Sequence, residues 1–441
     1  MKIIKRKNKH ETLSNYAGLL WNFKKRLHDQ WLSQHDLKAL QNAKIQQLIC
    51  HTYENVPYYR NIFQREGITP KDILTVDDLP KIPVSTKADI RELTSEQIIS
   101  HHANLNNCHT QTTSGSSGIP LKIYWDNHAI NTFYSTSARA HQMLSTSILD
   151  TILSIGPTYY PSGTMIQKLG ICRIEIFSPF NSLSAQVEKI NDYKPDILLC
   201  YPSVLKSLHH YIQTNGYSVH QPRMVIISGE FLDDKTSMDA KDIFGSRPFQ
   251  FYGAWEMGRI GNTCRHNNGL HLNEDVIIPE FIPADQQYGE KAYWLVLTNL
   301  HNYTMPFIRY QVGDIVRLID EPCDCNRNFR RINMLDARGS DIVHLPDGNK
   351  VSSLYLNAII SKFSTVSQFK FIQKSRDRLC VLLVDSREIS KDLMSEAIAE
   401  IDDVLPGITT EIQQVEYIAP GPNGKFICFE SALNQQTAPD T

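Results

Sequence analysis

Apolar side chains between residues 10 and 65 recur near helical spacing. Leu37, Leu40, Ile45, Leu48 and Ile49 share one stripe, which predicts helix through this region until Pro57 stops it. From about residue 108 the rhythm changes. Short β-branched and apolar runs at 152–155, 197–200 and 225–227 read as strands, and the amphipathic stretch 203–214 reads as a helix between the last two. Strand, helix, strand predicts an α/β layered architecture with mostly parallel pairing, to which 293–298 adds a further strand. Beyond Arg338 the pattern becomes a short α+β unit, with strand-like runs at 367–373, 378–385 and 410–417 around a helical stretch at 389–401. A boundary is expected near 338–341, dividing the chain into 1–338 and 339–441. The sequence carries no internal repeat or low-complexity tract.

Composition narrows the class only a little. A chain of 441 residues allows two or three domains, and a net charge of −2 leaves no electrostatic footprint for nucleic acid. Nine cysteines, an odd number scattered along a long chain, favour a reducing compartment. The start, M-K-I-I-K-R-K, is basic but leads into no apolar run of signal-peptide or membrane-spanning length, so the expected location is cytoplasmic.

The densest chemistry lies in Q-T-T-S-G-S-S-G-I-P-L-K-I-Y-W, residues 111–125. Gly115 and Gly118 open backbone angles closed to other residues, so amide N–H groups can approach an anion. Thr112, Thr113, Ser114, Ser116 and Ser117 add hydroxyl donors and Lys122 adds charge. A solvated Ser/Gly linker is the plain alternative. Neither the Walker pattern nor the Rossmann fingerprint is present. A second constellation is soft: Cys264 and His271 in T-C-R-H-N-N-G-L-H-L, and Cys323 and Cys325 in E-P-C-D-C-N. Three thiolates and an imidazole suit a closed, tetrahedral, structural Zn²⁺ site, with His266 able to replace His271; buried idle thiols are the alternative.

Residues 113–120 resemble the phosphate-binding loop of the adenylate-forming enzymes, the acyl-CoA synthetase/ligase superfamily, although Leu121 intervenes before Lys122 where the family's lysine usually follows the proline. Four other segments resemble family landmarks in family order: I-I-S-G-E at 226–230, F-Y-G-A-W-E at 251–256, Y-Q-V-G-D at 310–314, and A-R-G-S-D at 337–341 with alanine for the first glycine. G-P-N-G-K-F at 421–426 completes the series. H-T-Y-E-N-V-P-Y-Y-R at 51–60 and L-P-K-I-P-V-S-T-K at 79–87 resemble the phenylacetate-CoA ligase and CapK branch.

The resemblance implies a large N-terminal domain of mixed sheets and helices and a small mobile α+β lid. It also implies ATP-dependent activation of a small carboxylic acid through an acyl-adenylate, then transfer to a thiol, with CoA first in line. An amine or carrier protein is an alternative acceptor, and a catalytically silent nucleotide- and zinc-binding module is the distant alternative. By the same resemblance Lys425 serves adenylation and Glu256 helps hold Mg²⁺. The 113–118 loop and Lys122 take the phosphates; Ser228, Gly229, Glu230, Tyr252 and Gly253 meet the adenine. Asp314 takes the ribose hydroxyls, Arg338 belongs to the nucleotide site, and Ser340 and Asp341 form the hinge. Tyr159, Tyr160 and Trp255 are candidates for the acyl pocket.

Overall fold

A computed structural model describes residues 9–112, 121–157, 165–338, 342–360, 363, 366–385, 388–421 and 424–435. Residues 9–66 form three helices, Lys9–Asp29, Gln34–Asn55 and Pro57–Glu66. Ser33 caps the second by accepting from the Asp36 N–H, and Leu37, Ile45, Leu48 and Ile49 are its buried stripe. Pro57 opens a third helix instead of ending the pattern, because its missing N–H falls in the first turn, where a helix has no acceptor to offer.

Strands β1 (His109–Thr112) and β2 (Lys122–Trp125) pair antiparallel on either side of the Ser/Gly segment. The next eleven build one sheet. They are β3 (Thr151–Ile155), β4 (Arg173–Phe177), β5 (Ile197–Cys200), β6 (Met224–Ser228), β7 (Phe249–Ala254), β8 (Gly258–Asn262), β9 (Leu270–Leu272), β10 (Ile277–Pro283), β11 (Ala292–Asn299), β12 (Tyr310–Ile319) and β13 (Arg331–Arg338). Among the described residues their order is β10-β11-β12-β13-β9-β8-β7-β6-β5-β3-β4.

The expectation of mostly parallel pairing holds for only part of this sheet. β4, β3, β5, β6 and β7 run parallel, and from β7 to β10 every neighbour is antiparallel. The reason is connection length. Helices such as Pro202–Asn215 and Asp234–Phe244 carry the chain back across the parallel half. The turn from Ala254 to Gly258 is too short for any crossover.

After Arg338 the chain forms a small pair, β14 (Ile342–His344) with β15 (Lys350–Ser352). A four-stranded sheet follows from β16 (Val366–Ser375), β17 (Arg378–Asp385), β18 (Thr409–Gln414) and β19 (Phe429–Ser431), in the order β18-β17-β16-β19. Its core, including Phe371, Val381, Leu383, Ile401 and Leu405, is separate from those beneath the large sheet. Among the described residues no helix is long and apolar enough to cross a membrane.

Charge also holds the large unit together. Arg139, fully buried in the helix Asn127–Met143, donates twice to Asp275 (2.8 and 3.0 Å) and once to Asn273 (2.7 Å), and Arg26 of the first helix reaches Asp275 at 2.8 Å. Burial would raise the Asp275 carboxyl, but the two guanidinium groups outweigh it and hold it at about 2. Lys44, half-buried, donates to the Asp275 carbonyl at 2.6 Å, and burial, helped by Arg26, draws its ammonium down to about 7.

An unfolded lysine titrates near ~10.4, so between these values the unfolded chain binds more protons and stability rises with pH; below about 7 the full penalty of a desolvated charge remains. Thermal denaturation is expected to show a gain of ~1–2 kcal/mol between pH 7 and 9 that Lys44→Met removes. Equal slopes in both proteins would rule Lys44 out as the cause.

Candidate active site

Ligands of open α/β sheets bind outside the carboxyl ends of parallel strands. At that rim β5 runs into Tyr201, and Pro202 then opens the following helix. Beyond β3, Gly156 holds φ +114°, and a Cβ there would lie 2.4 Å from the Tyr201 ring. Beyond β6, Gly229 holds φ +91°, with the same ring at 2.9 Å from its Cβ position and the Lys425 Cε at 3.1 Å. One aromatic ring is thus wedged between two glycines that both use backbone angles other residues rarely adopt.

Beside β6 lies β7, with Phe251 opposite Ser228. Its next residue, Tyr252, donates its hydroxyl to Asp314 Oδ2 at 2.7 Å, tying β7 to β12. Gly253 packs against the backbone of Gly258 across the tight β7–β8 turn. Glu256 in that turn is buried and accepts from the Tyr310 hydroxyl at 3.1 Å; Asn299 fixes its backbone by donating to the Glu256 carbonyl at 2.9 Å. Burial, reinforced by the Glu256 charge, pushes the Tyr310 hydroxyl far up, so it remains a donor.

The small unit sends one loop to this rim. Gly421 N–H donates to the Lys425 carbonyl and Gly424 N–H to the Gly421 carbonyl, both at 2.8 Å. Lys425 Nζ stands 6.0 Å from the centre of the Tyr201 ring. The adjacent Phe426 N–H donates to Glu230 Oε1 at 2.6 Å, and Glu230 also accepts from the Ser203 N–H (2.9 Å) and hydroxyl (3.0 Å). Burial raises the Glu230 carboxyl above its ordinary value against those bonds and the Lys425 charge.

Gly229, Glu230, Tyr252, Glu256, Asp314 and Lys425 therefore share one rim. Thr113, Ser114, Gly115, Ser116, Ser117 and Gly118 lie outside the described residues, as do Ser340, Asp341, Tyr159 and Tyr160. The loop's neck is described. Thr112 faces Lys122, Trp125 Nε1–H donates to the Trp255 carbonyl at 3.0 Å, and Asn302 donates to the Tyr124 carbonyl at 3.0 Å. β2 is thereby tied to the residue next to Glu256. Lys122 itself is exposed, its Nζ 4.9 Å from the Tyr124 ring centre. The backbone of Arg338 pairs with that of Asp314.

Sequence reading missed Tyr201 and Ser203, and passed over the Tyr310 hydroxyl. The available signal was C-Y-P-S, an apolar run followed by a helix start with proline at the first helical position.

Residues 343–430 match the CapK C-terminal domain family. The phenylacetate-coenzyme A ligase of Thermus thermophilus is 24% identical over 406 residues, 86% of this chain and 89% of that one. Protein CapK of Staphylococcus aureus is 23% identical over 371 residues, 81% and 80% of the two chains. The crystal structure of 2-hydroxyisobutyryl-CoA ligase in the postadenylation state superposes with a TM-score of 0.73 at 17% identity, covering 92% of this chain and 93% of that one. Over most of its length the chain is thus similar to phenylacetate-CoA ligases and to CapK, and it shares the fold of a CoA ligase.

A second constellation forms where β9 meets the β12–β13 connection. Cys264, His271, Cys323 and Cys325 are all buried, with their ligand atoms within 4.8 Å of one another. Cys264 Sγ lies 3.7 Å from Cys323 Sγ, and Cys325 Sγ 3.5 Å from His271 Nε2. A tetrahedron with Zn–S of ~2.3 Å and Zn–N of ~2.0–2.1 Å has edges of about 3.8 and 3.5 Å, so the donor set fits a metal of that size. Two matching turns present it. Asn267 N–H bonds the Cys264 carbonyl (2.9 Å) and Asn326 N–H the Cys323 carbonyl (2.8 Å), both asparagines at positive φ. His266 stands outside the cluster, partly exposed and 4.0 Å from Asp324, which leaves His271 as the imidazole.

Proposed function

We propose that the chain uses ATP to convert a small carboxylic acid into an acyl-adenylate, releasing pyrophosphate, and passes the acyl group to the thiol of CoA, releasing AMP. The observation that carries this reading is the approach of Lys425 to Gly229 and Tyr201 at the rim that also holds the Tyr252–Asp314 pair. Attack of a carboxylate on the α-phosphate brings two anions together, so catalysis needs fixed positive charge and oriented donors where charge develops. Lys425 supplies the charge. The 113–118 loop and Lys122 hold the outer phosphates, with β2 anchored beside Glu256. Tyr252, Gly253 and the 228–230 segment take the adenine, Asp314 the ribose, and Arg338 stands next to Asp314 on the paired strand.

Glu256 would hold Mg²⁺, which neutralises phosphate charge when bound. Residues 1–338 serve as the body and 339–441 as a lid turning about Ser340 and Asp341. Cys264, His271, Cys323 and Cys325 hold a structural Zn²⁺, and the enzyme works in the cytoplasm.

Acid-dependent ATP–pyrophosphate exchange across aryl, fatty and amino acids, run with and without CoA, tests the reading. Exchange with at least one acid and CoA-dependent consumption of its adenylate is the expected result. Consumption only with amines or carrier proteins would reassign the acceptor. No exchange with any acid would overturn the enzyme reading in favour of a binding module.

A further inference from the structure

We propose that Glu230, seated on Ser203, is a latch that fixes the Lys425 loop for acid activation and lets it go for acyl transfer; this rests on the two-step reading above. Glu230 belongs to the large unit and Phe426 to the small one, 196 residues away, yet the carboxylate takes the Phe426 N–H at 2.6 Å. That N–H adjoins Lys425, so holding it fixes the backbone from which the ammonium projects over Tyr201. A charged acceptor makes a stronger bond than a neutral one. Gly424 of the same loop also lies against Pro179 of the large unit, a contact without a hydrogen bond. Lys235 reaches the Val366 carbonyl at 3.2 Å and Gln368 the Ser207 hydroxyl at 2.9 Å, and neither touches the lysine-bearing loop.

The geometry also accounts for release. Glu230 holds two donors of its own unit, the Ser203 N–H and hydroxyl. When Phe426 leaves, the carboxylate keeps both, so opening strands no unpaired charge, which would otherwise be expensive. Gly229 completes the device, since a side chain there would collide with both the Tyr201 ring and the Lys425 stem.

The test uses full-length protein with Glu230→Gln and, as a milder change, Ser203→Ala. Hydrogen–deuterium exchange of the peptide containing Phe426, without substrate, is expected to quicken about 10-fold in Glu230→Gln and less in Ser203→Ala. Acid-dependent pyrophosphate exchange should fall about 10-fold more than acyl transfer from preformed acyl-adenylate does, a difference that any adenine contact shared by both steps cancels out of. Unchanged amide exchange at Phe426, or equal losses in both half-reactions, would overturn the latch. If the wild type activates no acid, the two-step reading fails by itself, and the amide measurement alone supports or overturns the contact. Should Glu230→Gln fail to fold, Ser203→Ala carries the same readouts.

Discussion

Lys425→Ala is expected to slow acid-dependent ATP–pyrophosphate exchange about 10²- to 10³-fold, equivalent to ~2.7–4 kcal/mol, the range for losing one preorganised group aimed at developing charge. Transfer from preformed acyl-adenylate should stay within about threefold. The asymmetry follows from placement. The ammonium is part of the small unit and reaches the rim only through the loop docked on Glu230, so it serves the step for which the units are closed in this way. A lysine that merely decorated a turn would change neither rate. Equal loss of both steps would instead mean that the residue holds the fold, and separate assays of the two half-reactions distinguish these outcomes.

Purified protein is expected to carry about one zinc per chain, and Cys325→Ser is expected to lower both the metal content and the Tm, the latter on the order of 10 °C. Burial and the neighbouring sulfurs push the Cys264 thiol up, while in Cys325 burial is outweighed by hydrogen bonds from His271 and Arg327 that draw it down. A cation would let all three sulfurs ionise together, and its bonds would clamp the segment after β8 to the β12–β13 connection. Elemental analysis and a melting curve with and without chelator check this. Metal-free protein whose Tm ignores both chelator and substitution would reduce the four residues to packed thiols and a histidine.

How much of this could be read beforehand depends on the range of the forces involved. Strands 197–200 and 378–385 were legible residue for residue, because each is a short apolar run bounded by breakers, and the helix Pro202–Asn215 carries proline at its start and Gly216 at its end. β8 and β9 were not. They bury Arg259, Asn262 and His271, so the alternation of apolar and polar positions that marks a strand is lost. Those polar groups are tolerated because partners come from far along the chain: Arg259 reaches the Ser137 hydroxyl at 3.4 Å, Asn262 the Met143 sulfur at 3.3 Å, and His271 Nε2 faces Cys325 Sγ at 3.5 Å. The Tyr252, Glu256 and Asp314 segments stood out as linear patterns. Nothing local announced that Glu230 would face Phe426 or that Tyr201 would fill the gap between two other strand ends. Likewise C-x-C spacing pointed to a soft-ligand set, but choosing between His266 and His271 required knowing which one the β9 pairing turns inward.

The ring of Tyr201 imposes a constraint on evolutionary drift. Positions 156, 201 and 229 sit on three different strand ends yet occupy one volume. A descendant that acquires a methyl group at either glycine must shrink the aromatic and also bear the strain of a side chain at a positive φ, which loss of the ring does not relieve. Substitution at these three places is therefore a joint event, and lineages should differ there as a set.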